Sequence, residues 1–193
     1  MEQINELLNF LNRYTKLSEG EIQFVKEHTP IRQVEKNHVL LKEGKISKEF
    51  YFIVKGCVRL YYLSNGEEKT AYFYTENMFV SSYESFTRQI PAKHNLVTLE
   101  DTSLVVFSVD SVPKFLGFSP KFEFLARVIM EEELSTYQKI ISSFITQNAE
   151  ERYLATLKND PELLQRIPQH QIATYLGVSP ETLSRIRKRI VDN

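Results

Sequence analysis

Near its C-terminal end the chain reads SPETLSRIRKRI, from Ser179 to Ile190. Leu183, Ile186 and Ile190 fall at i, i+3 and i+7, one apolar stripe of a helix. Glu181, Thr182, Ser184, Arg185, Lys188 and Arg189 are left on its remaining surface. These types suit a DNA major groove: arginine bonds bidentately to guanine O6 and N7, and glutamate accepts from cytosine N4. Serine or threonine takes a phosphate or a thymine methyl. Lys188 and Arg189, with Gln169 and His170 upstream, suit phosphates instead of bases. The bland alternative is a solvated helix on which Glu181 and Arg185 form an i, i+4 ion pair worth about 0.3–0.5 kcal/mol.

Residues that aim such a helix precede it. Pro168 can open a first helix, whose inner face is Ile172, Ala173 and Leu176, with the small Ala173 permitting a close crossing. Gly177 stands where a left-handed turn residue belongs, and Val178 plugs the turn. Ser179 then supplies an N-cap, Pro180 a first helical residue, and Glu181 an acid in the first turn. Cap, glycine turn, two apolar stripes and cationic face coincide in one short segment, which is helix-turn-helix grammar.

The 193 residues carry a net charge of −1, so any affinity for a polyanion must come from local segregation of charge. From Arg166 onward five cations face two acids, an excess of three. Cys57 is the only cysteine, which excludes an internal disulfide and a cysteine-ligated cluster and fits a reducing, cytoplasmic setting. The N-terminus is amphipathic and acidic, unlike a signal peptide, and no apolar run approaches the ~20 residues that span a bilayer.

The first thirty or so residues read as helices, the second opened by a Ser18–Glu21 capping box. From Pro30 to Val109 short β-prone runs alternate with turns, the clearest being a hairpin about Asn65-Gly66; this spacing predicts an antiparallel sandwich or roll. A long helix is expected from about Pro120 to Asn148. Met130, Leu134, Tyr137, Ile141 and Phe144 step by 4, 3, 4 and 3, the seam of a coiled coil. Ile129, Ile140 and Ile145 lie off it and suggest a second buried face. The seam favours pairing with a second copy; the alternative is a helix buried within one chain. The expected segments are 1–118, helices and roll; 119–148, dimer helix; and 149–193, helix-turn-helix, an α+β chain with a jelly-roll-like β domain.

Catalysis has no candidates: there is no nucleophile motif, phosphate loop or zinc signature, and no metal site is expected from His28 or His38. Glu131, Glu132 and Glu133 are consecutive on a helix and so point different ways.

In this order of parts the chain resembles the Crp/Fnr family of bacterial transcription regulators over nearly its whole length. The resemblance rests on FYFIVKGCVRLYY with NGEEKTAYFY in the roll, and on IATYLGVSPETLSRIRKRI. It implies a homodimer on a pseudo-palindromic DNA site, with RNA polymerase as a further partner. Glu181 and Arg185 match the family's base-reading acid and arginine, while Pro180 replaces another base-reading arginine. Where cyclic-nucleotide-binding members carry Gly-Glu and Arg-Ser pairs, this chain has Ser81-Ser82 and Lys93-His94. Serine supplies no carboxylate and lysine no bidentate fork, so cyclic AMP is not the expected ligand, and no cofactor is implied. Ser81, Ser82, Lys93, His94 and the dimer-helix Tyr137 remain the candidate effector pocket, the alternative being that Lys93 and His94 lie in an exposed loop. Members usually continue into a two-stranded wing, and the chain is expected to lack it because it stops at Asn193. A different class of function stays open, a ligand-sensing or protein-interaction module whose C-terminal helices serve assembly.

Overall fold

The computed structural model describes residues 2–191. Helices α1 (Glu2–Leu11) and α2 (Glu19–His28) lead into β1 (Ile31–Val34), β2 (Val39–Leu41), β3 (Glu49–Lys55), β4 (Val58–Ser64), β5 (Glu67–Tyr74) and β6 (Phe79–Val80). Then follow α3 (Tyr83–Arg88), β7 (Asn95–Thr98), β8 (Thr102–Ser108), α4 (Val112–Phe118) and the long α5 (Pro120–Thr146). The strands form two four-stranded sheets, ordered β1-β8-β3-β6 and β2-β7-β4-β5. This is the expected roll, and α5 ends two residues before the expected Asn148.

Compactness divides the chain into two units: 1–60 with 73–132, and 61–72 with 133–193. In the first unit β3 and β8 are buried on both faces. Phe52, Val105 and Phe107 pack against Leu7, Leu8 and Phe10 of α1, Val25 of α2, Phe115 of α4, and Phe122 and Leu125 of α5. Tyr51, Ile53, Leu104 and Val106 alternate with them and are equally buried. Central strands with no solvated face therefore read as near-continuous apolar runs. Gly56, at φ +114°, is forced by packing as well: a Cβ there would lie 2.4 Å from Thr102 Oγ1.

The turn of the β4–β5 hairpin sits where Asn-Gly demands. Asn65 (φ 54°) and Gly66 (φ 81°) both adopt the left-handed conformation that matches strand twist. One stretch departs from expectation: 83–88, read as part of the strand region, is helix α3. One long-range bond and one local bond hold it there. The Ser47 amide donates to Ser85 Oγ at 2.8 Å, and Ser85 Oγ donates to the Ile90 carbonyl at 2.6 Å. The second buried face expected on α5 stops early: Ile129 packs on the core, but Ile145 is 77% exposed. The three consecutive glutamates each find a partner, Glu131 with Arg127, Glu132 with the Tyr14 hydroxyl and Glu133 with the Tyr137 hydroxyl. Among the described residues no helix is long and apolar enough to cross a membrane.

The capping box at α2 is complete: the Glu21 amide donates to Ser18 Oγ, and the Ser18 amide donates to Glu21 Oε2 at 2.7 Å. Glu21, 7% exposed, also receives the Ser119 hydroxyl at 2.6 Å and the Lys121 ammonium at 2.9 Å, which fastens the start of α5 to α2. Chiefly through Ser119 and the Ser18 amide, its carboxyl is held down to about 2. A carboxyl lowered in the folded state contributes stability above its ordinary range near 4.5, and that contribution is lost as pH falls through about 2. Glu21→Gln is expected to lower stability at neutral pH by about 1–3 kcal/mol, with the deficit shrinking as pH falls from 4.5 towards 2. Urea titrations across that range check it, and a deficit independent of pH would refute it.

Candidate nucleic-acid interface

In the second unit α5 is followed by α6 (Ala149–Asn159), α7 (Pro161–Arg166), α8 (Gln169–Tyr175) and α9 (Pro180–Val191). Each start has a local cause. Asn148 and Glu151 form a capping box at α6, and Asp160 Oδ1 accepts the Leu163 amide at α7, where Pro161 is the first residue. Pro168 proves to be the N-cap of α8 and not its first helical residue, since its ψ of 137° is extended. Tyr153, Leu163, Ile167, Ile172, Ala173, Leu176, Leu183 and Ile186 make the buried core of these helices.

Between α8 and α9 the chain closes a Schellman motif. The Val178 amide donates to the Ala173 carbonyl at 2.9 Å and the Gly177 amide to the Thr174 carbonyl at 3.1 Å, with Gly177 at φ +72°. Ser179 Oγ then accepts the Thr182 amide at 3.3 Å, and the Ser179 carbonyl accepts the Leu183 amide at 3.0 Å. Turn and cap together fix where α9 begins and which face it turns outward.

Glu181, Ser184, Arg185, Lys188 and Arg189 are exposed, as are Gln169, His170 and Ser179; Thr182 is half-buried. Arg185 Nη2 donates to Thr182 Oγ1 at 3.1 Å. The Glu181 carboxyl lies below its ordinary range, first through the Ser179 hydroxyl, then its own backbone amide, then the charge of Arg185. It is therefore an ionised acceptor at neutral pH. Arg189 is engaged within the chain by Glu150 of α6. Arg187, one of the five cations from Arg166 onward, is exposed as well.

Hairpin residues 61–72 belong to this same unit. Thr70 Oγ1 lies 2.8 Å from Thr174 Oγ1 of α8, and the Thr70 amide points to the same oxygen at 3.4 Å. Burial raises the Tyr72 hydroxyl to about 12, and the nearby Tyr175, Asp160 and Glu133 add to this. Glu133 and Tyr175 are likewise raised by burial. Nothing in the sequence signals these contacts, because their partners are distant along the chain, 104 residues in the case of Thr70 and Thr174.

On the seam of α5, Leu134 is 58% exposed, Ile141 60% and Phe144 48%; Tyr137 is also exposed, and Met130 is half-buried. An isolated chain thus presents an apolar ridge of coiled-coil spacing to solvent.

The candidate effector residues differ in burial. Ser82 is buried at the N-cap of α3 and Ser81 is half-buried. Lys93 has 76% of its side chain exposed, 3.6 Å from the Glu84 carboxylate. His94 is half-buried, and burial lowers its pKa. Tyr137 lies in the second unit, where its hydroxyl donates to Glu133 at 2.9 Å.

Gly177→Ala is expected to cost about 1–2 kcal/mol through the left-handed φ alone. A Cβ at that position would also come within 3.1 Å of Phe144. Thermal melting followed by circular dichroism checks it, and an unchanged transition would refute it.

Residues 31–117 match the cyclic nucleotide-binding domain family. The chain is 26% identical over 170 residues to the anaerobic regulatory protein of Haemophilus influenzae, covering 82% of this chain and 65% of that protein. The chain thus spans just under two thirds of that relative's length. Solved structures that share the fold include two regulators. The c-di-GMP responsive global regulator CLP of Xanthomonas campestris has TM-score 0.72 and 18% identity, covering 91% of this chain and 92% of the other. FixK2 of Bradyrhizobium japonicum has TM-score 0.73 and 19% identity, covering 85% of each.

Proposed function

We propose, from the premise that the chain belongs to the Crp/Fnr family of transcription regulators, that it binds a pseudo-palindromic DNA site as a homodimer. The observation that carries this reading is the face of α9. Glu181 and Arg185 project from a helix whose start is fixed by the Gly177 turn and the Ser179 cap, with Lys188 on the same exposed surface. Arg185 and Glu181 read base edges, and Ser184 and Thr182 contact the same groove. Lys188, Arg189, Gln169, His170 and Ser179 meet phosphates, for which Arg189 must first leave Glu150.

The second copy is recruited by the exposed seam of Leu134, Tyr137, Ile141 and Phe144, continued by Met130. Pairing along that ridge places two α9 helices in successive major grooves, about 34 Å apart. The roll serves as sensor or partner platform. Its ligand is not cyclic AMP, because Ser81 and Ser82 offer no carboxylate to a ribose and Lys93 is turned to the surface beside Glu84. Contact with RNA polymerase would turn binding into regulation, in the cytoplasm where the DNA lies. The named relative is a regulatory protein, which favours a role without catalysis.

Gel shifts across a salt series test the proposal. Affinity is expected to fall steeply with salt, whereas indifference to DNA at low salt would overturn the reading and leave a protein-interaction module. Arg185→Ala is expected to cost about 1–3 kcal/mol and to relax preference at one base position, whereas Lys188→Ala weakens all sequences alike and reduces the salt slope by about one. Ile141→Lys is expected to yield monomers in sedimentation velocity and to lose the full site.

A further inference from the structure

Arg152 stands in the opening turns of α6, the positive end of its own helix dipole, where a cation is disfavoured. Its contacts explain the position. Nη1 donates to the Gln147 carbonyl at 2.5 Å and Nη2 to the Leu176 carbonyl at 2.7 Å. The first of these carbonyls lies just past α5, and the second is the C-cap of α8. One guanidinium therefore meets the negative ends of two other helices, whose last carbonyls lack helical partners.

The same group lies over the Phe144 ring, 4.5 Å from its centroid. Phe144 in turn walls the glycine turn, since a Cβ on Gly177 would fall 3.1 Å from its Cε1 and 3.7 Å from Arg152 Nη2. Phe144 is also a seam residue and remains 48% exposed. The end of the seam, the start of α6 and the turn that launches α9 thus converge on one side chain. Among the described residues Arg152 Nε has no hydrogen-bond partner, so the fork is held by its two Nη groups alone.

We propose that Arg152 is a positioning residue that fixes the angle of the recognition helix to the dimer seam and thereby sets the half-site spacing the dimer accepts. The proposal rests on the reading of α9 and the seam as a dimeric DNA reader. Arg152 touches no base; it acts through Leu176 and Gly177 on the direction of α9. Lysine does not replace it, because its compact ammonium lacks the two separated Nη groups that span both carbonyls and the plane that stacks on the ring.

The test uses the full chain. The wild-type protein selects its site from a randomised duplex of about three helical turns. Affinity is then measured on that site, on versions with one base pair added or removed between half-sites, and on a single half-site. Arg152→Lys is expected to lower the preference for the selected spacing by about tenfold, the size of one lost hydrogen bond to a charged group, with single-half-site affinity and the dimer constant unchanged. Phe144→Leu keeps the seam apolar but removes the ring, and is expected to shift the spacing preference the same way; it decides the matter if the lysine variant does not fold. Variants that keep the wild-type spacing preference overturn the proposal, even if they melt earlier, since that is a structural role only. A wild-type protein without DNA affinity or without dimers overturns the underlying reading and this inference with it. A wild-type dimer that binds DNA but tolerates every spacing overturns the inference alone.

Discussion

The left-handed turn at Gly177 is the constraint on which the C-terminal helices depend. Two crossed amide bonds close α8 there, and the chain leaves in a direction that only a positive φ permits. Three residues later Pro180 begins α9, so the turn decides how the side of α9 with the buried Leu183 and Ile186 meets α8, where Ile172 and Ala173 are buried. The outward face is then settled by helical period. With a bulkier residue at 177, the turn and the wall of Phe144 beside it would both have to move.

Charge follows the same economy of position. A chain of net charge −1 cannot attract DNA as a whole, and at physiological salt the field of an exposed cation decays within about 8 Å. What counts is which cations are left outward. Arg152 is spent on two carbonyls and a ring, and Arg189 is shared with Glu150, whereas Arg185 and Lys188 stay on the open face.

The long helix α5 meets two demands with different stretches of one element. Phe122, Leu125 and Ile129 bury themselves in the core of the first unit, and Leu134, Ile141 and Phe144 keep an exposed seam in the second. A helix that buried one face along its whole length could do only one of these.

The features legible in the sequence obey local rules. The Ser18–Glu21 box, the Asn65-Gly66 turn, the glycine that closes α8 and the serine that caps α9 each depend on residues within five positions. Periodicity likewise marked the seam of α5 and the apolar stripe of α9, because a helix repeats its faces whatever it packs against. Tertiary structure alone decided the rest. Helix α3 is tied down where Ser47 binds Ser85, the hairpin joins the second unit where Thr70 meets Thr174, and Arg152 becomes a joint because Leu176 comes to meet it. The sequence by itself determined the capped and periodic helices and the stripes they repeat; the fold decided which charged and polar groups are used up inside and which remain for a ligand. Local hydrogen bonds and helical period are written within a few residues, whereas a side chain's partner across the fold depends on where distant segments come to rest.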